Sequence, residues 1–371
     1  MNIGIDARIL ERKMTGIGRF LKTILIELPS IDKENKYFLF YYKNIAIDNN
    51  YYENVPTVKS FLPQKLFAPI WSNFILPKYL KKHKINLFFS ANQLIPLIKI
   101  KNIKYILVLH DVIYKVDKTF HPFIYRKYLQ FFTYFSIKSS DLIITVSEYS
   151  KHDILKYYRV NEKKIRVIYE AADKEFKILN LSEIERKEIL ELLNYPDHIV
   201  LYVGMIENRK NILGILKIAD QVYLKNKNIK FVIIGKIGYG GEKLLREIKI
   251  RQNVIYLKSV EDKLLKKIYN ISSIFLFPSF YEGFGFPPLE AMQSGLPVLA
   301  SNNTSLEEII DSGGLLHEPN DYKSFIEDIF KLIEDKDYYE EIRNRGIERA
   351  KHFNINLTVL ELVKVFNSIN H

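Results

Sequence analysis

The sequence contains no cysteine, and it contains a single tryptophan. The lack of cysteine excludes a disulfide framework and is consistent with a reducing compartment, so we expect a cytoplasmic protein. Long hydrophobic runs are also missing: the most apolar candidate, residues 85–98, is interrupted by four polar side chains and is too short for a transmembrane helix. The first residues lack the basic and apolar regions of a signal peptide. We therefore expect neither a secretion signal nor a membrane-spanning helix.

Acidic residues are absent from residues 54–110, a stretch that contains nine lysines. The formal net charge of the chain is +12, and it is unevenly distributed: residues 1–180 carry +14, and residues 181–371 carry −2. The excess positive charge thus lies in the first half. This asymmetry predicts that the first half faces an anionic partner.

The chain is long enough for two domains, and its composition, 47% hydrophobic and 26% charged, is typical of a globular protein. Apolar runs alternate with amphipathic segments along the chain, a pattern that predicts an α/β fold with parallel sheets and helices on both faces. Charged helical residues with a weak apolar pattern occupy residues 174–197 and indicate the boundary. We expect domains at 1–180 and 181–350, followed by a C-terminal helix within 351–371.

The most informative stretch is residues 274–295, where three local signals follow one another. The apolar run 274–277 predicts a buried strand, and a glycine-containing loop follows it. Pro287 and Pro288 suit the first turn of a helix, which Gly295 ends. The N-terminus of such a helix is a suitable site for an anionic or hydroxyl-rich ligand.

Glu282 and Glu290 flank this loop, eight positions apart. Taken singly, Glu290 could merely complement the helix dipole, and Glu282 could be a solvated loop residue. However, the E-x7-E spacing, with G-F-G-F-P between the acids and E-A-M-x-x-G-x-P-V after them, resembles a known signature. It is the signature of retaining, nucleotide-sugar-dependent GT-B glycosyltransferases of the family 4 type, which include glycogen synthases and bacterial mannosyltransferases.

A second candidate lies at the end of the apolar strand 105–109, where His110 follows at the edge at which parallel sheets bind ligands. A histidine that caps the next turn is the alternative. The resemblance implies that a histidine at this strand end contacts the donor sugar. In the same family, Asn-Gly usually stands where this chain has Glu170 and Ala171, which leaves the role of Glu170 open.

Arg209 and Lys210 come just before the predicted helix 212–224. Cations oppose the dipole at a helix N-terminus unless an anion is present, although an isolated basic pair is usually a solvated turn. The run G-x-x-E-x-R-K-N resembles the diphosphate clamp of the same family. The family often has arginine at the position of Met205, so this chain departs from the pattern there.

Gly16 and Gly18 lie between the first predicted strand and the first predicted helix. Glycines at this place let the backbone approach a phosphate, but loop glycines are often simply turns. The segment resembles the donor-facing N-terminal loop of the same glycosyltransferases.

The resemblance covers nearly the whole chain. It implies two Rossmann-like domains with the active site in the cleft between them and a last helix that returns to the first domain. It further implies transfer of a hexose, with retention of configuration, from a nucleotide-diphosphate sugar to a glycan acceptor in bacterial surface polysaccharide assembly. GDP-mannose is the expected donor and a lipid-linked glycan the expected acceptor. A UDP-sugar donor and a sugar-nucleotide epimerase of the same fold remain alternatives, whereas no nucleic-acid recognition motif supports a nucleic-acid partner.

These motifs define the candidate site. Arg209 and Lys210 are expected to stabilise the leaving diphosphate, Glu282 to accept hydrogen bonds from sugar hydroxyls, and Glu290 to accept them from the ribose. The candidate catalytic residues are His110, Lys210 and Glu282. The candidate donor-binding residues are Gly16, Gly18, Arg209, Lys210, Glu282, Gly283, Phe284, Gly285, Phe286 and Glu290. No cofactor and no metal are expected, because the one D-x-D match, residues 335–337, lies in a charged helical stretch.

Residues 66–82 mix aromatic residues, leucines and lysines as a membrane-interface segment does. In the alternative interpretation, Trp71, Phe74 and Leu80 belong to the core and the lysines are merely solvated. We expect this segment to dock on the anionic inner face of the plasma membrane, since basic residues near such a surface are attracted to it. The lysines expected to face the membrane or the acceptor are Lys78, Lys81, Lys82 and Lys84.

Overall fold

The computed structural model describes residues 1–11, 16–45, 47, 50–58 and 64–369, the side chains of 64–66 excepted. The chain forms two compact units. The first unit comprises Met1–Ala171 and Ile355–His371, and the second comprises Ala172–Asn354. Each unit is built around one parallel β-sheet.

The strands occupy short segments, two of which match the predicted apolar runs 105–109 and 274–277. They are β1 (Asn2–Asp6), β2 (Lys36–Tyr41), β3 (Tyr52–Pro56), β4 (Leu87–Ser90), β5 (Lys104–Val108), β6 (Leu142–Thr145), β7 (Ile165–Val167), β8 (His198–Val203), β9 (Ile229–Ile234), β10 (Val254–Leu257), β11 (Ile274–Phe277), β12 (Val298–Ser301) and β13 (Leu315–His317).

Helices connect the strands. They are α1 (Gly16–Ile31), α2 (Gln64–Ile70), α3 (Leu76–Lys82), α4 (Ile113–Val116), α5 (Phe123–Ser139), α6 (Glu148–Tyr158), α7 (Glu183–Leu192), α8 (Ile212–Lys225), α9 (Gly241–Lys249), α10 (Asp262–Ile271), α11 (Phe286–Gln293), α12 (Thr304–Ile310), α13 (Tyr322–Glu334), α14 (Lys336–Ala350) and α15 (Ile355–Ser368). A π-helical segment, Trp71–Ile75, joins α2 to α3. Short 3-10 helices occupy Arg8–Glu11, Glu162–Lys164, Asn208–Lys210 and Asp311–Gly313.

The sheet of the first unit has the order β3-β2-β1-β4-β5-β6-β7, with every pairing parallel. Its central strands β4 and β5 are buried except for Lys104 at the start of β5, and their buried residues are apolar apart from Ser90, as is typical of a parallel sheet covered on both faces. The chain builds outward from β1 in one direction and from β4 in the other. The crevice at the carboxyl ends of β1 and β4 is therefore the position at which such sheets bind ligands.

The sheet of the second unit has the order β10-β9-β8-β11-β12-β13, again parallel throughout. The order reverses between β8 and β11, which end at Val203 and Phe277. The two segments that follow these strands contain Arg209, Lys210 and Glu282. The fold thus brings the basic motif and the first acid of the E-x7-E motif to one switch point.

The last helix, α15, belongs to the first unit, as predicted. The ring of Phe366 packs against Tyr37 and Phe89, with ring centroids 6.4 and 5.4 Å apart. The Thr358 hydroxyl donates to the Tyr169 carbonyl at 2.9 Å. These contacts explain why the chain returns to the first unit after Asn354.

The predicted domain boundary at residue 180 was too late. Residues 172–180 pack on α10 of the second unit: the Leu179 N–H donates to Asn270 Oδ1, and the Asn270 amide donates back to the Lys177 carbonyl. The Phe176 ring meets Tyr269 edge-on. These anchors lie outside any regular element, so the periodicity of the sequence did not reveal them.

Two further details differ from expectation. Strand β3 was not predicted. Gly16 and Gly18 lie in the first turn of α1 rather than in a loop before it, and residues 12–15 lie outside the described residues. In the part of the chain that the structure describes, no helix is both long and apolar enough to cross a membrane.

Candidate functional site

The basic motif is held in place by the way α8 begins. After β8 the chain makes the 3-10 helix Asn208–Lys210, and Asn211 then adopts a left-handed conformation with φ 53°. Asn211 Oδ1 accepts a hydrogen bond from the Gly214 N–H, and its amide donates to the Pro319 carbonyl at 2.8 Å. A side chain at position 214 would collide with Asn211. The R-K-N sequence therefore caps α8 and fixes the backbone of Lys210.

The loop after β11 is tied to this basic motif by its backbone. The Phe280 N–H donates to the Arg209 carbonyl at 2.9 Å, and Arg209 Nη1 donates to the Tyr281 carbonyl at 2.7 Å. On its other side, the Ser305 hydroxyl contacts the carbonyls of Glu282 and Phe284 at 3.0 and 2.7 Å. The loop is thus held between two neighbouring segments before any ligand binds.

Glu282 lies at the centre of a buried ion network. Its Oε1 atom is 2.6 Å from Lys210 Nζ and 2.6 Å from the Ser279 hydroxyl, and its Oε2 atom is 2.9 Å from Arg209 Nη1. Arg209 also donates through Nε and Nη2 to Glu207 Oε1, at 3.0 and 2.7 Å. Two cations and two carboxylates therefore balance each other in charge. Lys210 Nζ additionally lies 5.0 Å from the centroid of the Phe277 ring.

The electrostatics of this network follow from its burial. Burial alone raises the pKa of Glu282, but the Arg209 and Lys210 cations outweigh this effect, and the pKa falls below its ordinary value. Burial, reinforced by repulsion from Arg209, lowers the pKa of Lys210. The neighbouring cations thus favour the charged form of Glu282, whereas burial and Arg209 disfavour the charged form of Lys210.

The start of α11 places the second acid of the motif. Gly285 has φ +125°, and a Cβ there would lie 2.9 Å from Leu306 Cδ2, so only glycine fits this turn. Because Pro287 and Pro288 have no N–H, backbone donors at this end of the helix can come only from Phe286 and earlier residues. Glu290 is buried in the following turn, and its Oε2 accepts from the Tyr269 hydroxyl at 3.0 Å.

In the first unit, His110 follows β5 and lies against a buried carboxylate. His110 Nδ1 is 2.9 Å from Glu170 Oε1, and both side chains are buried. Burial raises the pKa of Glu170, although the neighbouring imidazole opposes the shift. The Phe20 ring of α1 packs edge-on against the imidazole at 5.3 Å. Among the described residues, His110 Nε2 has no hydrogen-bond partner.

The predicted residues fall into two groups. Arg209, Lys210 and Glu282 are in direct contact in the second unit, where the loop Gly283–Phe286 and Glu290 also lie. His110, Gly16 and Gly18 belong to the first unit.

Sequence reasoning missed Glu207 and Ser279 as partners of the network, and it left Glu170 open. Glu207 could have been found, because it is the acid of the G-x-x-E-x-R-K-N run. The Met205 side chain is 47% exposed and lies outside this ion network.

Two predictions remain: one concerns metal binding, and the other concerns the lysines of α3 and the turn after it. Within the described ranges, no cluster of three or more histidine or acidic side chains is arranged to hold a metal ion. In the D-x-D sequence, Asp335 caps α14 by accepting from the Tyr338 N–H, which is a structural role. The four lysines assigned to the membrane or acceptor face, Lys78, Lys81, Lys82 and Lys84, are exposed on α3 and the turn after it.

Two family models match the chain, one in each half. The model described as Glycosyltransferase Family 4 matches residues 16–176, and the model described as Glycosyl transferases group 1 matches residues 183–352. The first match lies in the first unit apart from its last residues, and the second lies within the second unit.

Relatives with similar sequences include O-antigen chain mannosyltransferase B of Escherichia coli, 32% identical over 66% of this chain and 65% of the relative. O-antigen chain mannosyltransferase RfbU of Salmonella typhimurium is 29% identical over 64% of this chain and 62% of its own length. The alignments therefore span less than two-thirds of each of these relatives.

Among solved structures, HepE from Anabaena, in complex with UDP-glucose, aligns with 99% of this chain and 100% of its own. The TM-score is 0.75 at 17% sequence identity, so the likeness concerns the fold. Two parallel-sheet Rossmann-like units are the architecture of GT-B proteins. With one family model matched in each half of the chain, the protein belongs to the GT-B glycosyltransferases of the group 1 and family 4 type.

Proposed function

We propose that the protein is a retaining glycosyltransferase that moves a hexose from a nucleotide-diphosphate sugar to a glycan in bacterial surface polysaccharide synthesis. GDP-mannose is the proposed donor and a lipid-linked glycan the proposed acceptor. The mannosyltransferase relatives support the choice of mannose, and their names place them in O-antigen synthesis. The observation that carries the proposal is the buried contact of Lys210 and Arg209 with Glu282 at the switch point of the second sheet.

The ion network suggests how a donor is accommodated. A diphosphate is a better partner for two cations than a single carboxylate is, since it presents more charge and more acceptor oxygens. When the donor binds, Lys210 and Arg209 exchange Glu282 for the diphosphate. Glu282, which remains tied to Ser279, then turns its free lone pairs to the hydroxyl groups of the sugar. The same residues thus change partners rather than position.

The chemical step needs positive charge where the diphosphate leaves. The bond between the anomeric carbon and the diphosphate oxygen breaks, and its electron pair stays on the diphosphate. The acceptor hydroxyl forms the new bond on the same face of the sugar, and its proton ends on the released nucleoside diphosphate. Lys210 and Arg209 stabilise the developing negative charge in a water-poor site, where such charges act most strongly.

The other candidate residues take supporting roles in this proposal. Backbone N–H groups in Gly283–Phe286 hold the donor, and Glu290 accepts hydrogen bonds from the ribose. His110 contacts the donor sugar through Nε2, because Glu170 holds the other ring nitrogen. Gly16 and Gly18, in the first turn of α1, let the backbone approach the donor.

The test is a donor screen with purified protein and a short mannose-terminated glycan. We expect release of nucleoside diphosphate and product formation with GDP-mannose, and NMR of the product should show the anomeric configuration of the donor. Excess chelator should leave turnover unchanged, because the proposed leaving-group cations are side chains. Transfer with inversion, or a strict need for added manganese, would contradict the mechanism.

A UDP-sugar donor is the second candidate, and the fold likeness to a UDP-glucose complex favours including it. Turnover with UDP-sugars alone would keep the transferase activity and overturn the choice of GDP-mannose. An isomerised sugar nucleotide formed from donor alone would instead indicate an epimerase.

A further inference from the structure

The lysine-rich segment around α3 buries most of the apolar side chains that its sequence pattern offered to a membrane. Trp71 is fully buried: the Arg8 guanidinium lies 4.0 Å from its ring centroid, and its indole N–H donates to the Thr57 hydroxyl. Leu80 is buried as well. Of the three apolar residues considered, only Phe74 is exposed. An apolar contact with a membrane therefore has to come mainly from elsewhere.

Helix α5 shows an inverted distribution of side chains. Its buried face includes two hydroxyl residues, Thr133 and Ser136, beside Leu129 and Ile137. The opposite face exposes large apolar side chains: Ile124 is 82% exposed, and Phe131 is 54% exposed. A surface helix normally turns such residues inward. We use "aromatic face of α5" for the outward set, which is Phe123, Ile124, Lys127, Phe131, Tyr134, Phe135 and Lys138.

The spacing of this set makes it one continuous surface. Positions 124, 127, 131, 134, 135 and 138 follow the three- and four-residue steps of one helical side. The Phe131 and Phe135 rings lie 4.8 Å apart. The 17-residue helix spans roughly 25 Å at 1.5 Å per residue, so the aromatic face is an extended strip rather than an isolated side chain.

The charge of this region has one sign. Residues 118–140 contain four basic side chains and no acid. Three of them lie over exposed rings of the strip: Arg126 and Lys127 lie 5.5 and 5.7 Å from the Phe123 ring, and Lys138 lies 4.6 Å from the Tyr134 ring. The nearest acid after the helix, Asp141, is already paired with Lys99 at 2.7 Å. The strip therefore combines exposed apolar surface with positive charge.

Hydrogen bonds connect the strip to the lysine-rich segment. The Ser139 hydroxyl at the end of α5 donates to the Leu97 carbonyl, and the Leu97 N–H donates to Asn73 Oδ1. Phe74 and Ile98, which directly follow Asn73 and Leu97 in the chain, are exposed. The C-terminal end of α5 is thus connected through Leu97 to the π-helical segment that precedes α3.

We propose that the aromatic face of α5 is the membrane-docking surface of this protein and that it inserts its rings at the interface of an anionic bilayer. Aromatic and aliphatic side chains flanked by lysines suit the boundary between headgroups and acyl chains. A second copy of the chain fits less well, since pairing two such strips would bring like charges together. The lysines of α3 add attraction over a longer range. The proposal concerns surface residues only and does not depend on the transferase activity.

Co-sedimentation of the full chain with vesicles tests this directly. Vesicles of phosphatidylglycerol and phosphatidylcholine should bind the protein, and pure phosphatidylcholine vesicles should bind it much less. The triple variant Ile124→Ser, Phe131→Ser, Phe135→Ser should lower the partition coefficient by roughly 10²-fold, because three apolar side chains lose their insertion. Its melting temperature should match that of the wild type, since all three side chains are exposed.

A matched control removes three exposed apolar residues from the second unit. The variant Leu213→Ser, Leu224→Ser, Ile250→Ser should bind vesicles like the wild type. A Phe131→Trp variant supplies a further readout: its emission should shift to shorter wavelength on binding, whereas the buried Trp71 should report no change.

Three outcomes would overturn the proposal. One is vesicle binding that survives the triple serine variant but is lost on replacing Lys78, Lys81, Lys82 and Lys84 by glutamate, which would make the lysines the sole contact. Another is a lipid-free dimer that the triple variant dissociates, which would assign the strip to self-association. The third is no binding to anionic vesicles at low salt.

Discussion

The two sheets end in polar clusters of different kinds at their ligand-binding edges. In the second unit, Lys210 and Arg209 share the carboxylate of Glu282 in a charge-balanced network. In the first unit, a single buried pair, His110 and Glu170, leaves one ring nitrogen without a partner among the described residues. In the proposed function, the first cluster exchanges partners when a ligand binds, and the second accepts a ligand without such an exchange.

In the proposed function, the two clusters suit different parts of the donor. Two cations that are balanced by carboxylates suit a highly charged ligand group, because that group can replace one of the carboxylates. A neutral or singly charged pair is suited to a hydroxyl-bearing ligand group, which it can bind with one hydrogen bond. We therefore expect substitutions in the second unit to have the largest effect on the release of nucleoside diphosphate.

The largest loss of activity is expected for Glu282→Gln. The substitution keeps the size of the side chain but removes the charge that faces the sugar in the transition state, so kcat should fall by about 10³-fold. Steady-state release of nucleoside diphosphate measures it. The exposed Glu334→Gln variant is the matched control, and a similar loss in both variants would remove Glu282 from the reaction.

A somewhat smaller loss is expected for Lys210→Ala. One preorganised cation at the leaving oxygen is lost while Arg209 remains, so kcat should fall by about 10²-fold. The exposed Lys263→Ala variant should retain full activity. An unchanged kcat in Lys210→Ala would assign the charge stabilisation to Arg209 alone.

The two clusters should also give opposite pH dependence of stability. The pKa of Glu282 is lowered on folding, so its contribution is present above its ordinary pKa of 4.5 and is lost as the pH falls below it. The pKa of Glu170 is raised, so the folded protein keeps a proton that the unfolded chain releases. Its contribution to the free energy of unfolding therefore decreases as the pH rises above 4.5.

Urea unfolding from about pH 3 to pH 7 checks this contrast, with slopes of up to about 1.4 kcal/mol per pH unit for each group. The free energy of unfolding of the wild type, minus that of Glu282→Gln, should increase with pH. The corresponding difference for Glu170→Gln should decrease with pH. Equal signs would mean that the two carboxyl groups lie in similar environments.

The smallest effect is expected for Glu290→Gln. The glutamine can still accept from the Tyr269 hydroxyl, so the local fold should persist, and only the charge near the ribose is lost. We expect KM for the donor to rise about threefold to tenfold while kcat stays close to that of the wild type. A loss confined to kcat would instead place Glu290 at the reacting sugar.

Much of the fold could be predicted because the central strands are buried on both faces. Strand β11 coincides with the predicted apolar run 274–277. Strand β3 could not be predicted in the same way. It lies at the edge of its sheet, and three of its five residues are exposed. It also ends in Pro56, so it lacks the apolar run of a central strand.

The candidate site was predicted residue by residue, but its pairings were not. Motif spacing identified Lys210 and Glu282, yet they are 72 positions apart, and only the order of strands β8 and β11 brings them together. The same holds for His110 and Glu170, which follow strands β5 and β7. Glu170 departs from the usual pattern of the family, so its contact with His110 was visible only in the fold.

The exchange of partners at Lys210 and Arg209 is the central claim, and calorimetric titration of GDP into the Glu282→Gln variant tests it most directly. If Glu282 competes with the diphosphate for these cations, removing its charge should make GDP bind more tightly than to the wild type, even though turnover falls. Lys210→Ala should bind GDP more weakly than the wild type. Unchanged or weaker binding of GDP to Glu282→Gln would contradict the account.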